Sequence, residues 1–330
     1  MLYLKPESDD AAFHFAVEEY LLEHSRLDQP IFMIWQTRKT AMVGLYQVVD
    51  AEVDKGYAQA ADIQIVRRQS GGGTIFTDPG TLLYTLILPQ TDQDFQQVLR
   101  ERLASPMAAA LGKLGIPAVV EGRNDILVAG KKVSGLAQYV RRGRVCTHGS
   151  LLYNANLDML AGVLQVDEEK IRSKAVRSVR SRVTNLREHL PTLVSTLEFW
   201  GLLEKALDEQ WSLQEYALSE TDLVKVRKIY NEKYANPKWT FGRDPKFTFR
   251  GSKRFPAGKV EVYLEVAGGT IRSCTICGDF LGTASIRELE SVFEGLSLRR
   301  EAVSAALSQV DTRPYLGEVT REQLLSCVFD

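Results

Sequence analysis

Three clusters in this chain combine residue types that chemistry uses. The first is Arg67-Arg68-Gln69-Ser70 followed by Gly71-Gly72-Gly73. A glycine run gives up backbone entropy and side-chain contacts, so it is kept where the backbone turns sharply or comes close to a ligand. Two arginines just upstream add positive charge beside the loop amides, which suits a phosphate or a carboxylate. The loop is not a Walker sequence, because no Gly-Lys-Ser/Thr follows, and it is not a GxGxxG dinucleotide fingerprint. It leads into a strand, so amides of the loop, not a helix terminus, would hold the anion. Taken alone it also reads, less well, as a glycine-rich hairpin turn.

The second cluster is Gly122-Arg123-Asn124-Asp125, followed by Lys131-Lys132-Val133-Ser134-Gly135. A lysine in a short turn between strands is a compact cation on a rigid scaffold. It is suited to hold a carboxylate against a nucleotide α-phosphate and to stabilise the charge that develops there. Strand alternation turns Lys132 inward beside Ser134 and Lys131 outward, so Lys132 is the candidate; singly, either would be an ordinary surface lysine. The third cluster is Arg144–Leu152, where alternation places Cys146, His148 and Ser150 on one face. His148 could donate a hydrogen bond, act as a base or be structural. Cys146 beside it raises a nucleophile reading, with no third orienting group evident.

The elements that must position these residues follow from periodicity. Ala12, Phe13, Ala16, Val17, Tyr20 and Leu21 recur at helical spacing behind Ser8-Asp9-Asp10, which offers caps. Ile31–Trp35, Ala41–Gly44, Ile63–Arg67, Thr74–Phe76 and Leu82–Leu88 read as strands, and Asp94–Leu114 as one long helix ending at Gly115. A meander follows over Ala118–Glu121, Asp125–Ala129, Lys132–Val140 and Arg144–Tyr153. Helices are expected over Ser195–Gln210 and Ser219–Tyr234, with the basic stretch Lys170–Arg187 before them a partly ordered loop. A composition shift near Asn236-Pro237 and turn signals at Gly242-Arg243-Asp244-Pro245 divide the chain into residues 1–243 and 244–330. The second part opens on alternating Val260–Val266, turns at Gly268-Gly269 and ends in three helices.

Length and composition bound the class. A chain of 330 residues with a formal net charge of −1 can bury a large core, and the charge argues against general affinity for nucleic acid or anionic membrane, local basic patches aside. No apolar run spans a bilayer and Lys5-Pro6 interrupts any leader, so a cytoplasmic protein is expected. Cys274 and Cys277 form a lone CxxC on a strand, where residues three apart face opposite sides. No metal site is expected from the protein's own residues.

In order, these segments resemble the lipoate–protein ligase A family. Arg67–Asp78 is similar to its RRxSGGGxxxHD loop apart from the histidine, and Gly122–Asp125 with Lys132–Gly135 to GRND…KxSG. His148–Leu152 is similar to HGTLL, and Arg177–Leu186 to KSVxSRVTNL. The resemblance runs nearly end to end. It implies an α+β fold: a large mixed-sheet catalytic domain of the biotin/lipoate–protein ligase type and a small C-terminal α+β accessory domain.

The activity it implies is ATP-dependent conversion of lipoate to lipoyl-AMP. The lipoyl group then passes to a lysine of an acceptor, a lipoyl domain or a glycine-cleavage H or H-like protein. ATP, with Mg2+ as its counter-ion, and lipoate or octanoate are the small molecules implied. By the same resemblance Lys132 is catalytic, touching both carboxylate and α-phosphate. Arg68, Ser70, Gly73, Thr74, Ile75 and Phe76 fall on the loop that closes over substrate. Asn124 and Asp125 map to adenylate contacts, Ser134 and Gly135 to the same site, His148 to the strand lining the pocket, and Lys174–Arg182 to a segment folding over the adenylate. The alternative is an ATP-independent lipoyl or octanoyl transferase working through a cysteine thioester. Leu45 and Val48 stand in a segment where the family carries a basic residue and an Asn, and Thr77 and Thr81 where it carries His and Asn. The first pair implies an acyl substrate or acceptor different from a generalist ligase's, the second bears on affinity for ATP, and a specialised ligase serving one acceptor is a refinement of the reading.

Overall fold

The computed structural model describes residues 1–23, 29–90, 94–122, 124–164, 181–242 and 247–330. Most of the basic stretch Lys174–Arg182, and the division at 243/244, lie outside the described residues. The chain forms two compact units. One holds Met1–Met42, Glu52–Val66 and Ile75–Asn236; the other holds Val43–Ala51, Arg67–Thr74 and Pro237–Asp330.

In the first unit β1 (Leu2–Leu4), β2 (Ile31–Trp35), β6 (Thr81–Pro89), β7 (Ala118–Glu121), β8 (Asp125–Val128), β9 (Lys131–Arg141), β10 (Arg144–Leu152) and β11 (Gln214–Tyr216) form one mixed sheet. Its order is β11-β1-β2-β6-β10-β9-β8-β7, parallel across β11, β1 and β2 and antiparallel elsewhere. The strands β3 (Thr40–Val43), β4 (Gln64–Arg67) and β5 (Ile75–Thr77) make a separate three-stranded sheet in the order β4-β3-β5.

Strand β6 is buried from Thr81 to Leu88, as its near-continuous apolar run requires for a strand covered on both faces. One face sends Leu82, Tyr84, Leu86 and Leu88, with Phe32 and Ile34, into a core shared with Met107, Leu111, Phe199, Leu203 and Leu207. The other face carries Trp35, Thr85 and His148 and is met by helix α1 (Ala11–Glu23), whose Phe15 ring lies 5.8 Å from Trp35 and 6.3 Å from His148. As expected, Asp10 caps α1, its Oδ1 accepting from the Ala12 amide at 2.9 Å. This helix is buried along almost its whole length, including His14, Glu18 and Glu19. Buried charge requires partners. Glu19 finds them in Lys233 Nζ and the Tyr234 hydroxyl, both at 2.6 Å.

The long helix expected over Asp94–Leu114 is α-helical at Phe95–Leu99, widens into a π turn at Arg100–Ala104, and is α-helical again at Ser105–Lys113. Gly115 follows with φ of +83°, the left-handed stop that the glycine signalled. The stretch expected over Ser219–Tyr234 also contains a π turn, being α over Glu220–Ile229 and π over Tyr230–Tyr234.

In the second unit β12 (Phe249–Phe255), β13 (Gly258–Ala267) and β14 (Thr270–Gly278) form an antiparallel meander, backed by helices Ile286–Ser291, Arg300–Leu307 and Arg321–Phe329. Val260, Val262, Leu264, Ile276, Phe293 and Leu324 fill its core. Cys274, Cys277 and Cys327 are buried here. The segments Val43–Ala51 and Arg67–Thr74 belong to this unit, and the Tyr46 ring stacks on Phe280 at 4.9 Å between centroids.

Candidate functional site

Lys132 stands at the start of β9, half-buried, while Lys131 beside it is exposed. Its ammonium lies 2.7 Å from Asp125 Oδ1. The alternation that put Lys132 beside Ser134 does not hold, because a β-bulge separates them. Ile126 pairs with Ser134 and Leu127 with Lys132, leaving Val133 without an opposite residue. Cross-strand partners project to the same side and neighbours along a strand to opposite sides. Lys132 therefore shares a sheet face with Leu127, Asp125 and Gly135. Ser134 turns the other way, where its hydroxyl meets the Tyr84 hydroxyl at 2.6 Å in the core.

The register carries that face further. Gly135 pairs with Ser150, Ala137 with His148 and Tyr139 with Cys146, so Lys132 and His148 look out from the same side of the sheet. The Val183-Thr184 segment docks beside Lys132, whose carbonyl accepts from the Thr184 amide at 3.1 Å. The Asn185 side chain clasps the backbone of Ala155, accepting from its amide at 2.8 Å and donating to its carbonyl at 3.0 Å. Asn124 donates its amide nitrogen to the Leu136 carbonyl at 2.5 Å, closing the turn into β8.

The His148 ring is buried, with Nδ1 at 3.1 and 3.2 Å from the two carboxylate oxygens of Glu18. Glu18 is fixed in turn, Oε1 accepting from Thr85 Oγ1 at 2.7 Å, and Thr85 Oγ1 accepting from Trp35 Nε1 at 3.0 Å. A carboxylate only accepts, so Nδ1 carries a proton directed at Glu18. Glu18 was not singled out in the sequence. It sits in an apolar helix without a motif, and only its place as a charge on a face that must be buried marks it.

Cys146 lies beside this pair. Glu18, Cys146 and His148 each offer a ligand atom within 4.8 Å of the others, the one such three-residue group among the described residues. Glu18 and His148 already satisfy one another by hydrogen bonding. Burial pushes the Cys146 thiol well up, with the Glu18 charge adding to the effect. A thiol held protonated is a poor nucleophile.

In the second unit both arginines of the glycine loop turn to backbone carbonyls. Arg67 Nη1 donates to Gly44 O at 2.8 Å and Gln47 O at 2.6 Å; Nε and Nη2 donate to Thr240 O at 3.0 and 2.7 Å. Arg68 bends over its own loop, donating to Ser70 Oγ at 3.0 Å, Gly71 O at 2.9 Å and Gly73 O at 2.7 Å. Its burial, with the Arg67 charge adding, pushes its guanidinium down to about 10. The positive charge read as flanking exposed amides is thus spent on shaping the loop.

Close approach explains one of these glycines and backbone conformation another. A Cβ at Gly44 would lie 2.1 Å from the Gly72 carbonyl oxygen, and Gly72 itself adopts φ of +87°. Thr74 Oγ1 donates to Gln47 Oε1 at 2.8 Å. The remaining loop candidates, Ile75 and Phe76, lie on β5 in the first unit, paired with Met42 and Ala41. Of the departures, Thr77 is buried with its hydroxyl 2.7 Å from that of Thr37, and Thr81 donates to Asp78 Oδ1 at 3.3 Å.

Known proteins resemble the chain throughout. The family described as lipoyl protein ligase A/B catalytic domain matches residues 10–208, and bacterial lipoate protein ligase C-terminus matches residues 244–328. Lipoate-protein ligase LplJ of Bacillus subtilis is 33% identical over 333 residues, covering 100% of both chains. A bipartite lipoate protein ligase of Thermoplasma acidophilum, studied with its E2 lipoyl domain, is 27% identical with a TM-score of 0.68, covering 75% of this chain and 98% of that one. A lipoate-protein ligase A bound with ATP is 25% identical with a TM-score of 0.64, covering 73% and 98%.

Proposed function

The chain belongs to the lipoate–protein ligase family, and on that premise we propose that it activates lipoate with ATP and joins it to a lysine of an acceptor protein. The bipartite relative acts with an E2 lipoyl domain and another relative binds ATP, which supports both halves of the reaction. The observation that carries the reading is Lys132: a half-buried ammonium at the start of a rigid strand, on the same sheet face as the Glu18–His148 pair.

The acid's carboxylate and the α-phosphate of ATP repel one another, and a fixed cation offsets that repulsion as they meet. Carboxylate oxygen bonds to the α-phosphorus, pyrophosphate leaves, and lipoyl-AMP results. The acceptor's amine then attacks the acyl carbon, loses a proton, and AMP departs, leaving an amide. In this reading Arg68 and Ser70 keep the glycine loop in shape, and Gly73, Thr74, Ile75 and Phe76 serve the ligand. Asn124, Ser134 and Gly135 build the strand that carries Lys132. Mg2+ travels with the phosphates as part of the substrate. The Glu18, Cys146 and His148 group, with its thiol and imidazole, is not the oxygen cage that this ion prefers.

A lipoyl domain is the acceptor class, and a single glycine-cleavage H or H-like protein its narrower form, in keeping with the departures at Leu45, Val48, Thr77 and Thr81. Residues 1–243 act as the catalytic part and 244–330 as the accessory part. Among the described residues no helix is long and apolar enough to cross a membrane, and we place the reaction in the cytoplasm. The thioester route is not favoured, since its thiol is buried and held protonated. Lipoate-dependent exchange of pyrophosphate into ATP, cut to a small residual rate in Lys132→Ala, is the expected result. Absence of exchange with both lipoate and octanoate overturns the reading.

A further inference from the structure

Resting on the ligase reading, we infer that Asp125 and Gly135 act as positioning residues for Lys132, with the bulge at Val133 as the device that joins the three. In an unbroken strand Lys132 and Gly135, three residues apart, would project to opposite faces. The unpaired Val133 shifts the alternation by one and returns Lys132 to the face of Gly135 and of Asp125, which pairs with Gly135 across the ladder. The lysine then folds back along its own strand. A Cβ on Gly135 would lie 2.7 Å from Lys132 Nζ and 2.8 Å from Cε, so the ammonium occupies the space that the missing side chain leaves. Asp125 Oδ1 meets it there at 2.7 Å.

Each part has a distinct task. The bulge selects the face, Gly135 opens the path, and Asp125 holds the end of a side chain with four rotatable bonds. A lysine so held loses little orientational freedom when it engages a carboxylate and a phosphate. Asp125 thereby acts through Lys132 and not by touching nucleotide.

The resting geometry isolates this task from the fold. Gly135 does not adopt a positive φ, and the only close atoms a Cβ would meet belong to the flexible end of Lys132. Gly135→Ala should therefore fold normally while displacing the ammonium. Asp125→Asn keeps the shape of the side chain and removes its charge.

The test measures lipoate-dependent ATP–pyrophosphate exchange and melting temperature for wild type, Gly135→Ala, Asp125→Asn, and each of these in the Lys132→Ala background. The expected result is a fall in kcat of about a hundredfold for Gly135→Ala and about tenfold for Asp125→Asn, with KM for ATP within about twofold of wild type. In the Lys132→Ala background neither substitution should lower the residual rate further. Wild-type kcat in both variants overturns the inference, as does a raised KM for ATP with kcat intact in Asp125→Asn, which would mark a nucleotide contact. An additive loss in the Lys132→Ala background overturns it as well. In all three cases wild-type exchange leaves the ligase reading standing, whereas a wild type without exchange removes both.

Discussion

Glu18 on α1 and His148 on β10 meet in the buried layer between helix and sheet, both carboxylate oxygens within 3.2 Å of the imidazole Nδ1. The pair joins elements far apart in sequence, and Thr85 with Trp35 fixes it from a third and a fourth. Such a chain sets the tautomer of the ring as well as its direction.

Glu18→Gln keeps the size of the side chain but can offer an amide N–H to Nδ1, reversing the tautomer. Lipoate-dependent exchange should fall by about ten- to a hundredfold while the fold persists. Glu18→Ala leaves the Thr85 hydroxyl and the ring without their acceptor and should cost about 1–3 kcal/mol in urea denaturation. Exchange at the wild-type rate in Glu18→Gln would show that His148 needs no orientation.

His14 supplies a pH dependence of stability. Its ring lies 4.5 Å from Trp35, Nε2 donates to the Ser8 carbonyl at 2.8 Å, and Nδ1 is buried without a hydrogen-bond partner. Burial lowers its pKa from 6.5 to about 4. Between those values the unfolded chain holds more of the proton than the folded one, so stability is full above pH 6.5 and declines as pH falls towards 4. The loss should approach about 3 kcal/mol. Urea denaturation at pH 7 and pH 4.5 should show a smaller decline in His14→Phe; equal declines would assign the effect to other groups.

Arg67 holds the ends of two chain segments through carbonyl oxygens of Gly44, Gln47 and Thr240. Arg67→Ala strips donors from several buried acceptors at once and should destabilise by at least about 3 kcal/mol. Arg67→Lys recovers little, since an ammonium cannot fork to both segments. Denaturation followed through Trp239, whose indole donates to the Arg67 carbonyl at 2.9 Å, would report it; unchanged midpoints in both variants would count against the role.

Cys146→Ala should keep pyrophosphate exchange and acyl transfer within about threefold of wild type, because a protonated buried thiol is not the nucleophile. Loss of transfer with exchange intact would restore the thioester route.

Much of the sheet was legible because its strands have strong local signatures: the apolar run of β6, the meander through β10, the alternation of β13. Lys132 was chosen over Lys131 for a reason the structure replaces, since alternation alone cannot show a bulge whose cause is pairing with β8. Glu18 carries no motif and was missed. Strands β1 and β11, three residues each, are too short to express a period and exist through their parallel neighbours. That Val43–Ala51 and Arg67–Thr74 would pack with the last third of the chain lies in long-range contacts, to which periodicity is blind.

Those contacts set an order in time. The glycine loop leaves the ribosome early, yet the surface it rests on, where the Gly72 amide donates to the Phe280 carbonyl at 3.3 Å, is among the last to be made. At ordinary synthesis rates the interval is roughly ten to forty seconds. Throughout it Arg67 and Arg68 emerge without the Pro237–Asp330 segment that completes their unit. A nascent chain therefore finishes packing its glycine loop only after the Phe280 surface has been made.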